Sequence, residues 1–357
     1  MLFLSDKEKM QWKHLADELI ATEAHPGRKH VSVRSNLQSV FHAYTGALLT
    51  TSGLQDLGRE WFRHGAQLER DGFFFNTFLT SFLERQNKRL IMPAVAFEDP
   101  RPYVHFTKVP EIQAARRNFI QYSANSLPAF NRPVRVIDLG CGNGALVAEL
   151  LAHWHKQGKI PAVEEIVLLD PSTGMLELAE RTVKQAFPAV PLTPIHARIE
   201  SWAPGIDSHY DIALSSLAFH HMPLDKKKTS LEKIAPWIDH FLLFEVDANN
   251  DTPELNSPDL MLSVYQSYAR MIDFVFAHDA PIDVVYACVD CFLMTEVVSF
   301  LTQPRGQRTD YHMLRTQWHN LFQQVMGREF TWASNTSCYD DEYFSMYMLH
   351  MARRGVA

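Results

Sequence analysis

Residues 134–144 read Val-Arg-Val-Ile-Asp-Leu-Gly-Cys-Gly-Asn-Gly, and this run constrains the fold more than any other stretch. Val134, Val136 and Ile137 are apolar and β-branched, the composition of a strand buried in a parallel sheet. Asp138 ends that strand. Gly140, Gly142 and Gly144 then make a loop almost free of side chains, and Ala145–Ala152 follows with high helix propensity. A bare loop between a strand and a helix lets a ligand approach the backbone closely and meet the helix N-terminus. Cys141 and Asn143, between the glycines, leave that backbone accessible.

Gly140, Gly142 and Ala145 also satisfy the dinucleotide pattern G-x-G-x-x-G/A, so the glycines alone do not choose the ligand. Asp138 does. A carboxylate ahead of the first glycine crowds a pyrophosphate with like charge, whereas it suits a sulfonium and an ammonium. The string resembles motif I of the class I S-adenosylmethionine-dependent methyltransferases, D-x-G-x-G-x-G, at Asp138, Gly140, Gly142 and Gly144. The resemblance implies S-adenosyl-L-methionine held over Asp138, Gly140, Cys141, Gly142 and Gly144, with S-adenosyl-L-homocysteine as the product.

The following segments fit the same family in order. A second strand, 165–170, ends in Asp170, placed to accept hydrogen bonds from both ribose hydroxyls, with Pro171 beside it. Asp170 can also act with Ser172 or Thr173 to start the next helix. After a third strand near 192–197, Arg198 stands where many relatives carry an acidic residue. Backbone groups around Arg198 and Ile199, or Glu200, are expected to hold the adenine instead; Ile199 reads as an apolar shelf or as core. The fourth strand, 210–216, contributes Ser215 to the expected cofactor set and runs into Leu217–Pro223, which resembles motif IV of small-molecule methyltransferases. His220 or His221 is the expected base, since imidazole titrates in the right range, and the other histidine is expected to brace the loop.

The fifth strand, 241–247, continues as Ala-Asn-Asn, and Glu245-Val-Asp247-Ala-Asn249-Asn250 resembles the E-x-E-A-N-x-N stretch of the GRAS family. That likeness extends over roughly 210–322 and the methyltransferase likeness over roughly 134–350. The intact glycine loop favours the catalytic branch, similar to bacterial GRAS-like small-molecule methyltransferases. Glu245 stands behind the histidines as a further catalytic candidate, and Asn249 either orients a substrate or caps the next helix. The insertion 251–281 contains an amphipathic helix over 258–276 with Tyr265 and Tyr268 on its apolar face. It is expected to be either a core stripe or a lid whose tyrosines touch substrate.

Residues 1–118 read as a helical cap domain and 119–357 as the methyltransferase domain. Ser5-Asp-Lys-Glu8 is a capping-box pattern, while the prolines at 93, 100, 102 and 110 suggest a connector. In similar enzymes the helix over 111–122 lies on the cofactor, so Tyr122 is an expected contact and Arg117 a weaker one. After the insertion come an apolar helix over 282–301, an amphipathic helix over 309–324 and two closing strands, 329–333 and 343–351. The expected fold is α/β: a Rossmann-like, seven-stranded class I methyltransferase sheet with an N-terminal helical cap and a helical insertion after strand five.

The net charge of −7 argues against long-range attraction to nucleic acid. No membrane span and no signal peptide are expected, which points to the cytoplasm. The four cysteines make no disulfide framework, and Cys288-Val-Asp-Cys291 reads as buried free thiols. The histidines are scattered except for the 220–221 pair, and no metal centre is expected. The expected partner is a small-molecule methyl acceptor, with homodimer formation open. The alternatives are a non-catalytic GRAS-like ligand-binding or regulatory protein, and a protein or RNA methyltransferase.

Overall fold

The capping pattern at Ser5 opens the first helix. The Glu8 amide donates to Ser5 Oγ at 3.3 Å and the Ser5 amide donates to Glu8 Oε2 at 2.8 Å, which satisfies two amides that a helix start leaves over. The computed structural model describes residues 2–27, 32–70, 72–92 and 100–355. Its N-terminal part is helical, with α1 (Asp6–Ala21), α2 (Gln38–Thr51), α3 (Gln55–Ala66) and α4 (Phe75–Arg85). Helix α2 is buried nearly all round, and Phe41, Trp61, Phe62 and Phe82 fill the space between these helices. They share one continuous apolar core with the sheet.

The connector expected over 91–110 is corrected in part. Residues 93–99 lie outside the described residues, and α5 (Pro100–Lys108) is a helix. Pro100 and Pro102 stand in its first turn, where no intrahelical amide bond is lost. Helix α6 (Pro110–Ser126) then runs unbroken through the expected division at 118/119.

The remaining elements are β1 (Val134–Leu139), α7 (Ala145–Lys156), β2 (Val163–Asp170), α8 (Thr173–Ala186), β3 (Leu192–His196), the short α9 (Ile199–Trp202), β4 (Tyr210–Ser216), α10 (Leu224–Ile234), β5 (Ile238–Val246), α11 (Pro258–Ala277), α12 (Ile282–Ala287), α13 (Met294–Thr302), α14 (Arg315–Val325), β6 (Phe330–Asp340) and β7 (Ser345–Arg353). The strands form one seven-stranded sheet in the order β3-β2-β1-β4-β5-β7-β6. Strands β1 to β5 are parallel, and β7 is antiparallel to both neighbours. This is the sheet expected of a class I methyltransferase. The winding reverses between β1 and β4, where Asp138 pairs with Leu214, and ligands of such sheets bind beyond the strand ends at that point.

Strand β6 is longer than expected and reaches Asp340. Helix α11 matches the amphipathic stretch, but most of its sides are buried. It packs against α1, α2, α4 and α13, so it joins the N-terminal helices to the rest of the chain. Helices α12 and α13 are linked by a π-helical turn, Cys288–Leu293. Together, 282–302 is the one helical stretch among the described residues long and apolar enough to cross a membrane, and most of it is packed inside the protein. Among the described residues no cysteine forms a disulfide; Cys288 is buried and Cys291 half-buried.

Candidate cofactor and active site

Gly140 has φ +81°, and a Cβ there would lie 2.2 Å from Cβ of Ala218. Only glycine permits this approach, and the approach seats the loop after β1 against the segment after β4. At Gly142, φ is +52°, and a Cβ would meet the Tyr103 hydroxyl at 2.8 Å. The Gly142 amide donates to Asp170 Oδ2 at 2.9 Å, and the Ser172 amide donates to Asp170 Oδ1 at 2.8 Å. The expected role of Asp170 at the start of the next helix is seen, and the same carboxylate also ties down the glycine loop.

Asp138 faces the same crevice. It is 3 % exposed, and its Oδ1 has no hydrogen-bond partner. Burial pushes its carboxyl up to about 8, the Asp170 charge adds to the rise and Arg116 opposes it. Asp170 is raised too, by burial first, against the pull of its two amide donors. Two desolvated carboxylates flanking a bare loop constitute a site short of positive charge.

The crevice is lined by Asp138, Gly140, Cys141, Tyr103, Arg116 and Leu217 among others, and leaves a cavity of about 20 Å³. That is little more than one water. Tyr103 from α5 fills the rest, seated edge-on against Phe292 of the π-helical turn with ring centroids 6.3 Å apart. Burial pushes the Tyr103 phenol up to about 12. Arg116 from α6 is buried, and its Nε lacks a hydrogen-bond partner. The sequence pointed to the neighbouring Arg117 and to Tyr122. The crevice lining includes neither; Tyr122 packs on the core six residues beyond Arg116. Helix α6 presents Ile112 and Arg116 to the crevice, one turn apart. Leu217, just past β4, has φ +52°, an uncommon conformation for a branched side chain, and its amide donates to the Phe244 carbonyl.

Other expected cofactor contacts differ. Ser215 is fully buried, and its hydroxyl donates to the Leu139 carbonyl at 3.1 Å, so it joins β4 to β1. The Pro171 carbonyl is 2.9 Å from Nε2 of His196. The Ile199 side chain belongs to the core, not to an exposed shelf, and the Arg198 guanidinium is largely exposed, 3.9 Å from Glu200.

Beyond β4 and β5 lies a dense polar group. His220 Nδ1 is 2.8 Å from Glu245 Oε2, and its Nε2 is 3.7 Å from Asp310 Oδ1. His221 Nδ1 is 2.7 Å from the same Asp310 oxygen. His312 stacks on His220 with centroids 4.1 Å apart, and its Nε2 is 4.0 Å from Glu296 Oε2. Burial holds His220 well below the usual imidazole value, and the charges of His312 and His221 push the same way. Burial would also lower His221, but Asp310 outweighs it and raises His221 to about 9. The same pairing outweighs the cost of burying Asp310 and holds it at about 2. The sequence picked His220, His221 and Glu245, which lie at adjacent strand ends. Glu296, Asp310 and His312 were missed, because they arrive from α13 and the segment before α14 with no motif to mark them.

The residues expected at the substrate each have partners within the protein. The Asn249 amide donates to Ser263 Oγ at 2.9 Å, while Asn249 Oδ1 accepts from Thr252 and Gln317, so this residue fixes the entry to the insertion. Tyr265 is buried against Phe73 and Phe75 and hydrogen-bonds Ser39. Tyr268 is fully buried, and its hydroxyl donates to Glu296, which makes it a wall of the polar group.

Residues 136–239 match a family model described as a methyltransferase domain. No curated protein matches the sequence significantly. Among solved structures, SCL7 of Oryza sativa superposes with a TM-score of 0.61 at 11 % identity, covering 85 % of this chain and 99 % of that one. Magnesium protoporphyrin IX methyltransferase (ChlM) from Synechocystis PCC 6803, solved with bound SAM, gives 0.40 at 11 % identity over 70 % of this chain and 90 % of its own. The plantazolicin methyltransferase BamL, in complex with a triazolic desmethylPZN analog and SAH, gives 0.42 at 11 % identity over 76 % of this chain and 93 % of its own. The last two overlaps are too loose to bear on function. Residues 136–239 thus resemble a methyltransferase domain, and they lie within a seven-stranded sheet of the order expected of a class I methyltransferase.

Proposed function

We propose that the protein is an S-adenosylmethionine-dependent methyltransferase acting on a small-molecule acceptor. The observation that carries this reading is the carboxylate pair at the glycine loop, Asp170 tied to the Gly142 amide and Asp138 buried with a free oxygen. S-adenosylmethionine, when bound, supplies a methyl group on a sulfonium that departs as a neutral thioether. Asp138 would face the cationic end, Asp170 would accept the ribose hydroxyls, and Arg116 would meet the amino-acid carboxylate. The polar group beyond β4 and β5 handles the acceptor; within it His220, neutral and held by Glu245, is the imidazole able to take the acceptor's proton. Apolar and aromatic residues around the mouth, Tyr103, Phe106 and Phe292, favour an enclosed small acceptor over an extended nucleic acid. The GRAS-like branch is supported by Glu245, Asn249 and Asn250 as they stand in the sequence.

A second reading, a ligand-binding protein without turnover, draws on the Tyr103 side chain that fills the crevice. Calorimetry with S-adenosylhomocysteine, followed by a mass-spectrometric screen of small acceptors for a gain of one methyl group, separates the two. Binding with product supports the enzyme, binding without product supports the regulator, and the absence of binding overturns both.

A further inference from the structure

The polar group beyond β4 and β5 holds more donor atoms than proton transfer requires. His220, His221 and Asp310 each offer one atom within 4.8 Å of the others, and so do His220, Glu245 and His312, and Glu296, Asp310 and His312. Four-coordinate zinc holds N and O ligands at about 2.0–2.2 Å, which puts tetrahedral neighbours roughly 3.3 Å apart. The observed spacings are therefore within a small side-chain adjustment of a coordination shell.

The hydrogen bonding points to which atoms would bind. In the tautomer whose Nδ1 proton is directed at Glu245, His220 keeps its lone pair on Nε2, which stands 3.7 Å from Asp310 Oδ1. Two electron-rich atoms facing each other across that gap repel unless positive charge lies beside them; the His221 ring on Asp310 supplies it in the metal-free protein, and an ion between the three groups would supply more. A carboxylate on the far nitrogen of a metal-bound histidine is also the usual outer-shell arrangement, since it fixes the tautomer and makes the ring a better donor. His221 brings a second imidazole to the same Asp310 oxygen. His312, stacked on His220, adds a buried Nδ1 without a hydrogen-bond partner to the same polar group.

We propose that His220 Nε2, His221 Nδ1 and the Asp310 carboxylate bind a divalent first-row transition ion of the zinc type, with Glu245 as outer-shell anchor of His220. This departs from the expectation, drawn from the sequence, of no metal centre. Two imidazoles and one carboxylate are a donor set for zinc, manganese or iron rather than for calcium or magnesium. Three protein ligands leave a position for water or an acceptor oxygen. His221 is the half-exposed member, with 37 % of its side chain accessible, so the free position lies on the solvent side. His221 follows the end of β4 by five residues, and Ser216 and Leu217 ahead of it line the proposed cofactor crevice, so the ion would lie on the same edge of the sheet. With the ion bound, the His220 Nε2 lone pair is engaged and His220 no longer serves as the base; the ion's own role in turnover, lowering the pKa of a bound acceptor hydroxyl, rests on the methyl-transfer reading, whereas its binding does not.

The test uses the full chain. After chelator treatment and desalting, zinc chloride is titrated calorimetrically, and cobalt(II) is added separately to look for the visible bands of a low-symmetry site. One ion per chain is expected. Asp310→Asn should weaken it by more than the roughly 10–100-fold that outer-shell changes such as Glu245→Gln cost. His221→Gln, on the more exposed ligand, guards against a variant that does not fold, and circular dichroism reports folding for each. Substoichiometric zinc uptake, or uptake unchanged in folded Asp310→Asn and His221→Gln proteins, overturns the site. Titrating S-adenosylhomocysteine into the same metal-free protein keeps the two proposals apart: zinc without nucleoside binding removes the methyltransferase reading alone, and nucleoside without zinc binding removes the metal site alone.

Discussion

The Gly142 amide donates a 2.9 Å hydrogen bond to Asp170 Oδ2, so the glycine loop after β1 is held by the carboxylate that ends β2. The residue expected to meet the ribose is thus also the residue that shapes the loop beneath it. Asp170→Ala should weaken S-adenosylhomocysteine binding by about 10–100-fold, the loss of one to two charge-assisted hydrogen bonds. Asp170→Asn keeps the shape but presents one fewer acceptor oxygen, and should lose less. Calorimetry on the three proteins checks the order, and equal affinity in all three would remove Asp170 from the site.

Asp138 gives a pH signature with a defined sign. Its folded-state value, up to about 8, lies above the unfolded value near 3.8. Between those limits the native chain keeps a proton that the unfolded chain releases. Its contribution to stability is therefore fully present below about pH 3.8 and lost as pH rises to about 8, at up to about 1.4 kcal/mol per unit. A cationic ligand favours the carboxylate, so its affinity should rise towards pH 8 with release of a proton. Asp138→Asn should flatten both trends. Calorimetry in buffers of different ionisation enthalpy counts the proton, and a count of zero near pH 7 would contradict the assignment.

Gly140→Ala should destabilise the fold by about 1–3 kcal/mol, through a φ of +81° and a Cβ 2.2 Å from that of Ala218. Ala218→Gly in the same chain should restore the part due to the clash and leave the backbone part. Urea denaturation of the single and double variants measures the split.

Lys227 and Asp251 form an ion pair at 3.1 Å with both side chains fully buried, and Lys227 also donates to the Tyr311 carbonyl. Removing Lys227 leaves the buried Asp251 carboxylate with the longer Arg305 contact, at 3.4 Å, as its remaining charged partner. Lys227→Ala should cost about 3–5 kcal/mol, while Lys227→Met with Asp251→Leu should cost much less. Thermal unfolding is the readout, and a single-variant loss below about 1 kcal/mol would show that water reaches the pair.

Local chemistry explains what could be read from the sequence. A β-branched run before three glycines specifies a strand, a loop and a helix within a few residues, and Ser5 with Glu8 specifies a helix start; both stand in the structure as expected. The failures share one cause, which is contact between distant segments. Asp310 meets His221 from 89 positions away and Tyr103 meets Gly142 from 39, as the residue numbers give, and no periodicity encodes such pairings. Arg116 and Arg117 differ only in the phase of α6. A one-residue error turns a helix by about 100°, enough to exchange the buried arginine for its exposed neighbour. The prolines at 100 and 102 misled because the same residue both breaks helices and begins them.

The π-helical turn Cys288–Leu293 has a consequence for the whole crevice. Such a turn holds one residue more than regular helix geometry accommodates. That surplus sets the direction in which Phe292 leaves the backbone, and Phe292 is the ring on which Tyr103 rests. Excising a single residue there would let 282–302 relax into uniform helix and swing Phe292 off by about a quarter turn. The ceiling above the glycines is thus registered by a local slip in winding, the kind of difference one codon can add or delete.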